Sequence, residues 1–489
     1  MSDPIFGISI TQIDDQPRPA VVTDMSIIGL VGTAPLADGV AYPFNDPVLV
    51  FSDDAVALKA LGLTGSLPGQ IDLINAQLGD FQVAAQIVIV RVDAGAAEAD
   101  TITNLVGSTT LKTGVNALRL AGPKLGVVPR LIGVPGFTHQ QLNGLSRVDV
   151  TTPGTGYTTA PAVAFTGGGG TGASGHATIL GGAVTAVIID NPGINYTTAP
   201  TVGLTGGAGA GAVATAVLDV MENAVVAALP AVCSALLAHA VVSGPHTTLQ
   251  GFTDWRKTIK SQRIIPLETW AKVGVAATVT DSVGSILGIA VRRDHEFNGR
   301  PFHSWANQAV AGIVGPSRPI EFSLTDGATE AQQILLQNGG VIVRGEMGVE
   351  GAISNGGFVY IGTDNCADDP LWQFYNISRG RDYIHLIFLK TLRTYLGRFN
   401  INGQTIQAVI NTMTLALRGL EADGDILGSQ VSFTRSLNSP ENLRLGKFVV
   451  NFAAEEAPVL RYLGIRSARY RPALDTLLNN LQAQLDAAA

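Results

Sequence analysis

The chain has 489 residues, of which 46% are hydrophobic and 14% charged, and a formal net charge of −8. The length allows two or three domains with a sizeable core in each, and the acidic balance argues against a general nucleic-acid binder, which needs clustered Lys and Arg to neutralise phosphates. Charge this sparse, against roughly 25% in ordinary soluble domains, fits either a surface covered by partners or a large α/β core.

Residues 5–13 (IFGISITQI) alternate in polarity, with Phe6, Ile8, Ile10 and, after a shift, Ile13 as the apolar positions. That pattern suits an extended strand. Asp14-Asp15-Gln16-Pro17-Arg18-Pro19 follows as a linker. A terminal strand held away from its body either folds back or adds to the sheet of another subunit. No charged stretch followed by an apolar run opens the chain, so no secretory signal is expected.

Residues 21–145 alternate between strand-like and helix-like pieces. Apolar runs at 26–31 and 87–92 (IVIVRV), with a helical pattern at 71–78, predict a sheet covered on both faces. Residues 146–219 differ in composition and contain an internal repeat. Tyr157-Thr158-Thr159-Ala160-Pro161 recurs as Tyr196-Thr197-Thr198-Ala199-Pro200, and Pro153-Gly154 as Pro192-Gly193, each pair 39 residues apart. Rich in Thr, Val and Gly and without a helical period, the segment is expected to be an inserted all-β domain of two repeats.

Residues 221–242 read as a buried Ala-rich helix rather than a membrane span, given Pro230 and His239 within them. Mixed α/β structure is expected through residue 395. Residues 396–489 form a C-terminal α+β domain, with a helix near 405–420, short strands near 431–434 and 447–452, and a last helix opened by Pro472. The fold class expected is therefore α/β and α+β, multidomain, with mixed sheets and helices and an inserted all-β repeat domain.

No residues gather into convincing chemistry. The glycine-rich stretch at 167–175 lacks a following Lys-Ser/Thr and recurs as a repeat turn, which argues against phosphate binding. Asp294-His295-Glu296 is consecutive, so its side chains share no helix face, and it reads as a solvated turn. No catalytic, cofactor-binding or metal site is expected. Cys233 and Cys366 form no CxxC arrangement, which excludes a zinc knuckle or a disulfide-dense scaffold. Cys366 lies in a polar loop, where a packing role is not expected. The two are either free thiols or, after release from the reducing cytosol, a bond between subunits. Arg466, Arg469 and Arg471 precede the final helix as a solvated basic face or a contact for an acidic partner.

Several segments, in order, carry a resemblance. They are SIIGLVGTAP at 26–35, YPFNDPVLV at 42–50, GSLP at 65–68 and GVVPRLIGVPGFT at 126–138. Beyond the insert come GPHTT at 244–248, GPSRPI at 315–320, Gly362-Thr363, DPLWQF at 369–374, Arg379 and Asp382. In this collinear set the chain resembles the contractile-tail sheath proteins of phages and R-type pyocins. The insert and Cys366 depart from that pattern.

The resemblance implies a structural subunit that polymerises with itself as stacked six-fold rings around an inner tail tube. Contraction of the sheath drives the tube through a host envelope. It implies a virion-tail location after synthesis in the host cytoplasm. The tube protein, baseplate and tail terminator are the implied partners, with no cofactor, no direct nucleic-acid contact and no membrane insertion. Residues 1–20 become an arm that adds its strand (Phe6, Ile8, Ile10, Ile13) to a neighbour, with a C-terminal counterpart near 460–470. Residues 396–489 face the tube, with Arg466, Arg469 and Arg471 as contacts, and residues 146–219 decorate the outside. A headless bacteriocin or related injection machine uses the same subunit. A cytosolic α/β enzyme with a β insert, or a surface adhesin, is the alternative of another class.

Overall fold

The computed structural model describes residues 24–79 and 84–488. The strand-arm residues Phe6, Ile8, Ile10 and Ile13 lie outside the described residues. Strands β1 (Ile28–Thr33), β2 (Pro47–Phe51), β3 (Gln86–Val92) and β4 (Leu131–Gly133) precede the insert. The insert holds β5 (Leu142–Thr155), β6 (Ala162–Thr166), β7 (Thr171–Leu180), β8 (Ala183–Ile194), β9 (Thr201–Thr205) and β10 (Ala210–Met221). After it come β11 (His239–Ser243) and β12 (Ile264–Leu267).

The body is a six-stranded sheet in the order β12-β11-β4-β1-β3-β2, parallel except for the antiparallel edge strand β2. Side chains alternate across a strand, and here both sets are apolar. Val88, Val90 and Val92 enter one core with the helices Ala224–Leu236 and Leu249–Lys257, while Ile87 and Ile89 enter a second with Pro68–Leu78 and Val283–Glu296. A sheet buried on both faces explains why these strands read as unbroken hydrophobic runs. The crossing of Pro68–Leu78 and Val283–Glu296 depends on Gly284, where a Cβ would meet the Gln70 carbonyl oxygen at 2.5 Å.

The reading of residues 221–242 as one helix is corrected. The helix ends at Leu236, Leu237 turns left-handed with φ 47°, and β11 begins at His239. The chain reverses because Ala238 N–H donates back to the Cys233 carbonyl at 2.8 Å, closing the helix C-terminus. The next residues then continue as a parallel strand between β4 and β12.

Two small ribbons flank the sheet. One joins β13 (Ala271–Val273), β14 (Thr278–Thr280) and β16 (Gly315–Pro316), and the other β15 (Gln308–Ala309), β17 (Val341–Arg344) and β18 (Phe358–Ile361). A third core gathers Met25, Phe302, Tyr383, Ile384, Leu417 and Ile426. It is built by the helices Tyr375–Leu392 and Gly403–Ala422 with the ribbon β19 (Ile426–Ser432) and β20 (Asn451–Glu456). Residues 458–489 are a separate unit, containing the helix Pro472–Ala488.

Candidate assembly surface

The helix Tyr375–Leu392 organises the third core through its charged face. Arg379 is fully buried, and its Nη1 donates to Asp294 Oδ1 at 3.0 Å, with its guanidinium 4.9 Å from the Trp305 ring centroid. Burial pushes the Asp294 carboxyl up to about 6, and Arg379 pulls against that shift. The expected solvated turn at Asp294-His295-Glu296 is therefore corrected: Asp294 is 1% exposed, in the last turn of Val283–Glu296. One turn along, Asp382 receives both Nη groups of Arg263. His239 Nε2 is 3.1 Å from Ser378 Oγ, and burial beside Arg263 and Arg379 holds its imidazole well below the ordinary histidine range.

Arg379 also reaches Met25, near the first of the described residues. Met25 is wholly buried in the third core, and its carbonyl accepts from Arg379 Nη2 at 3.4 Å. On the same helix, Arg381 Nε donates to Glu456 Oε1 at 2.6 Å and its Nη2 to the Ala454 carbonyl at 2.7 Å. These bonds clamp β20 to the helix.

The ribbon so held has only two strands, and neither β19 nor β20 has a second neighbour among the described residues. Apart from the Ala454 carbonyl, held by Arg381, each strand thus has an edge with no strand beside it among the described residues, the kind of template on which another strand adds. Leu427 is 68% exposed and Leu445 70%, so apolar side chains flank the ribbon in solvent. The strands expected near 431–434 and 447–452 overlap β19 and β20 only in part, because β19 starts in residues such as Gly428, Ser429 and Gln430, which lack an apolar run.

In the terminal unit, Arg466, Arg469 and Arg471 are all exposed, in a stretch without helix or strand. The helix that follows exposes Leu474, Leu477, Leu478, Leu481 and Leu485. That spacing sets them on one side of the helix as an apolar stripe, a pattern the charge-centred reading passed over.

The cysteines are not surface groups. Cys233 and Cys366 are both fully buried in the same core of one chain, both are free thiols, and burial pushes each up to about 12. The expectation that the loop around Cys366 excludes packing is corrected. Ser261 N–H donates to the Cys366 carbonyl and Cys366 N–H to that of Ile264, both at 2.9 Å, which draws the loop onto the end of β12. A bond between subunits requires sulfur at a surface, and this burial speaks against it.

An α/β enzyme would place its ligand at the carboxyl ends of the parallel strands. Here that end is filled by the chain itself. Asp281 accepts from Gly136 N–H at 2.7 Å, from Val283 N–H at 3.0 Å and from the Ser243 hydroxyl, while Trp255 Nε1 donates to the Thr138 carbonyl at 2.9 Å. Among the described residues there is no group of three or more His, Cys, Asp and Glu able to hold a metal ion, and no helix is long and apolar enough to cross a membrane.

No family model matches the chain. It is similar to the tail sheath protein of Escherichia phage P2, 22% identical over 481 residues that cover 95% of this chain and 96% of that one. The major tail sheath protein of Serratia phage KSP20 is 32% identical over 155 residues, covering 30% of this chain and 38% of that one. In fold, the chain matches the contracted sheath of the PVC extracellular contractile injection system with TM-score 0.59 and 11% identity, covering 97% and 99% of the two chains. The contracted helical sheath of the anti-feeding prophage gives TM-score 0.56 at 11% identity, covering 96% and 100%. Over nearly its whole length the chain is thus similar in sequence to a phage tail sheath protein and in fold to the sheaths of contractile injection systems.

Proposed function

We propose that this chain is the structural subunit of a contractile tail sheath, polymerising as stacked six-fold rings around an inner tail tube and shortening to drive the tube through a host envelope. The observation that carries the reading is the end-to-end similarity to a phage tail sheath protein. The open-edged β19–β20 ribbon, in the same layer as Met25, supports it mechanically.

The device needed is a joint that keeps subunits connected while their bodies rotate. Backbone hydrogen bonds between an added strand and a ribbon edge provide one, because they are directional, numerous and independent of how the bodies pack. Residues 6–13 are the strand donated, residues 14–19 the tether, and residues 460–470 the C-terminal counterpart. The driving free energy is the difference between two packings of the same subunits, as in other assemblies with two discrete arrangements. The role is structural, with no reaction assigned. Baseplate, tube and tail terminator proteins are the partners, the host cytoplasm the site of synthesis, and Arg466, Arg469 and Arg471 the tube contacts.

The test is removal of residues 1–19. The truncated chain is expected to remain folded, with an unchanged thermal midpoint, and to lose polymerisation. Normal tubes from the truncation would remove the arm mechanism. The injection-system sheaths among the structural matches favour one second reading, a sheath of a headless injection machine, which the same subunit architecture serves.

A further inference from the structure

The two repeats of the insert are related by a two-fold rotation, and their long ladders run between copies. β5 of the first copy pairs with β10 of the second, and β7 of the first with β8 of the second. The second ladder reproduces the first with each residue replaced by its repeat equivalent: Ala210↔Thr155 becomes Thr171↔Ile194, and Ala216↔Val148 becomes Ala177↔Val187. Both bulges recur, at Val213/Ala214 and Val217/Leu218 in one ladder and at Ser174/Gly175 and Thr178/Ile179 in the other. Between the middle strands β6 and β9, Ala164 faces Gly203, its own equivalent, so that pair marks the axis.

The turns obey the same rotation. Thr158 N–H donates to the Gly207 carbonyl and Thr197 N–H to that of Gly168, both at 2.9 Å. Each glycine has a positive φ, and a Cβ there would lie 3.0 Å from the Tyr157 ring or 2.9 Å from the Tyr196 ring respectively. Each copy thus seats its buried tyrosine on the glycine turn of the other.

The ends of a copy lie far apart. Leu142 pairs with Met221 where the insert joins the body, and Tyr196 N–H reaches Asn143 at that end. Tyr157 N–H reaches Gly182 at the other end, where the first copy passes into the second. The separation is roughly 40 Å at about 3.3 Å per residue over the 12 residues of β10. One copy carries the chain out and only the second returns it.

We propose that the 39-residue unit is self-complementary, a surface built to bind a second copy of itself, and that its duplication lets one chain supply both halves. A chain with a single unit then binds the unit of another chain. Because the unit ends far from where it began, the two chains also exchange everything after the insert, giving a reciprocal dimer with two complete bodies. Such an interface is isologous, each surface meeting its own copy.

The experiment uses the full chain with residues 157–195 deleted and Gly203→Cys added. A Cβ at Gly203 lies 3.9 Å from that of Ala164, within disulfide range, and in the exchanged dimer position 203 of one chain faces position 203 of the other. Cys233 and Cys366 are buried and do not compete. Mild oxidation is expected to give a covalent dimer on a non-reducing denaturing gel, at least ten-fold more than Gly203→Cys in the undeleted chain, whose partner position is alanine. A folded one-unit chain that stays monomeric overturns the proposal. Where the deletion prevents folding, the undeleted chain with the sequence of residues 183–221 in place of 144–182 decides. Cooperative melting within a few degrees of the parent supports interchangeable units, and loss of the folded insert overturns them.

Discussion

His239 shows how a single buried group couples this fold to pH. It lies 1% exposed between Arg263 and Arg379, bonded to Ser378, and burial followed by those two cations disfavours its imidazolium. A histidine whose folded pKa is depressed takes up its proton only in the unfolded chain as the pH falls below about 6.5. Its contribution is therefore intact at pH 7 and lost progressively in more acidic solution, by about 1.4 kcal/mol per pH unit at most. His239→Gln cannot titrate, so the stability gap between the parent and this variant is expected to narrow by up to about 2 kcal/mol from pH 7 to 5, read by denaturant unfolding. A gap that stays constant would mean that His239 protonates equally in both states. The neighbouring Arg379–Asp294 and Arg263–Asp382 pairs place charges where removing one partner would leave the other buried and alone.

Among the elements, β1 and β3 were legible because a strand buried on both faces is apolar at every position, a pattern composition alone reveals. Cys366 misled for the opposite reason: polar neighbours suggested exposure, yet Asn365 is itself buried, with its Nδ2 donating to the Trp372 carbonyl at 2.8 Å. The equivalence of Tyr157 and Tyr196 was readable as an offset. Which strand each copy faces was not, since Ala164↔Gly203 is a contact between copies that no local pattern encodes. β19 and β20 are short and half exposed, and their open edges are a property of topology rather than of residue type. At the terminal segment the expected tube contacts are electrostatic. Replacing Arg466, Arg469 and Arg471 by Glu should loosen co-assembly with the tube protein, most strongly at low salt, where exposed charges are least screened. Co-sedimentation with tubes across a salt series checks this, and identical pelleting by parent and variant at every ionic strength would remove these arginines from the contact.

For the whole molecule, the parallel sheet supplies a rigid body, the third core anchors both Met25 and the open ribbon, and the insert departs and returns through the paired ends of β5 and β10. Rigid bodies joined through backbone edges are the mechanical requirement for a lattice that rearranges without coming apart. The sheet ends that would bind a substrate in an enzyme of this topology are occupied by Asp281, Ser243 and Trp255 with their own partners, which directs attention to the surface. Negative-stain electron microscopy of the purified full-length chain tests the central claim most directly, first alone and then with its tube protein. Hollow, striated tubes of uniform width with six-fold end views are expected. Discrete globular particles under both conditions, at every concentration, would contradict it.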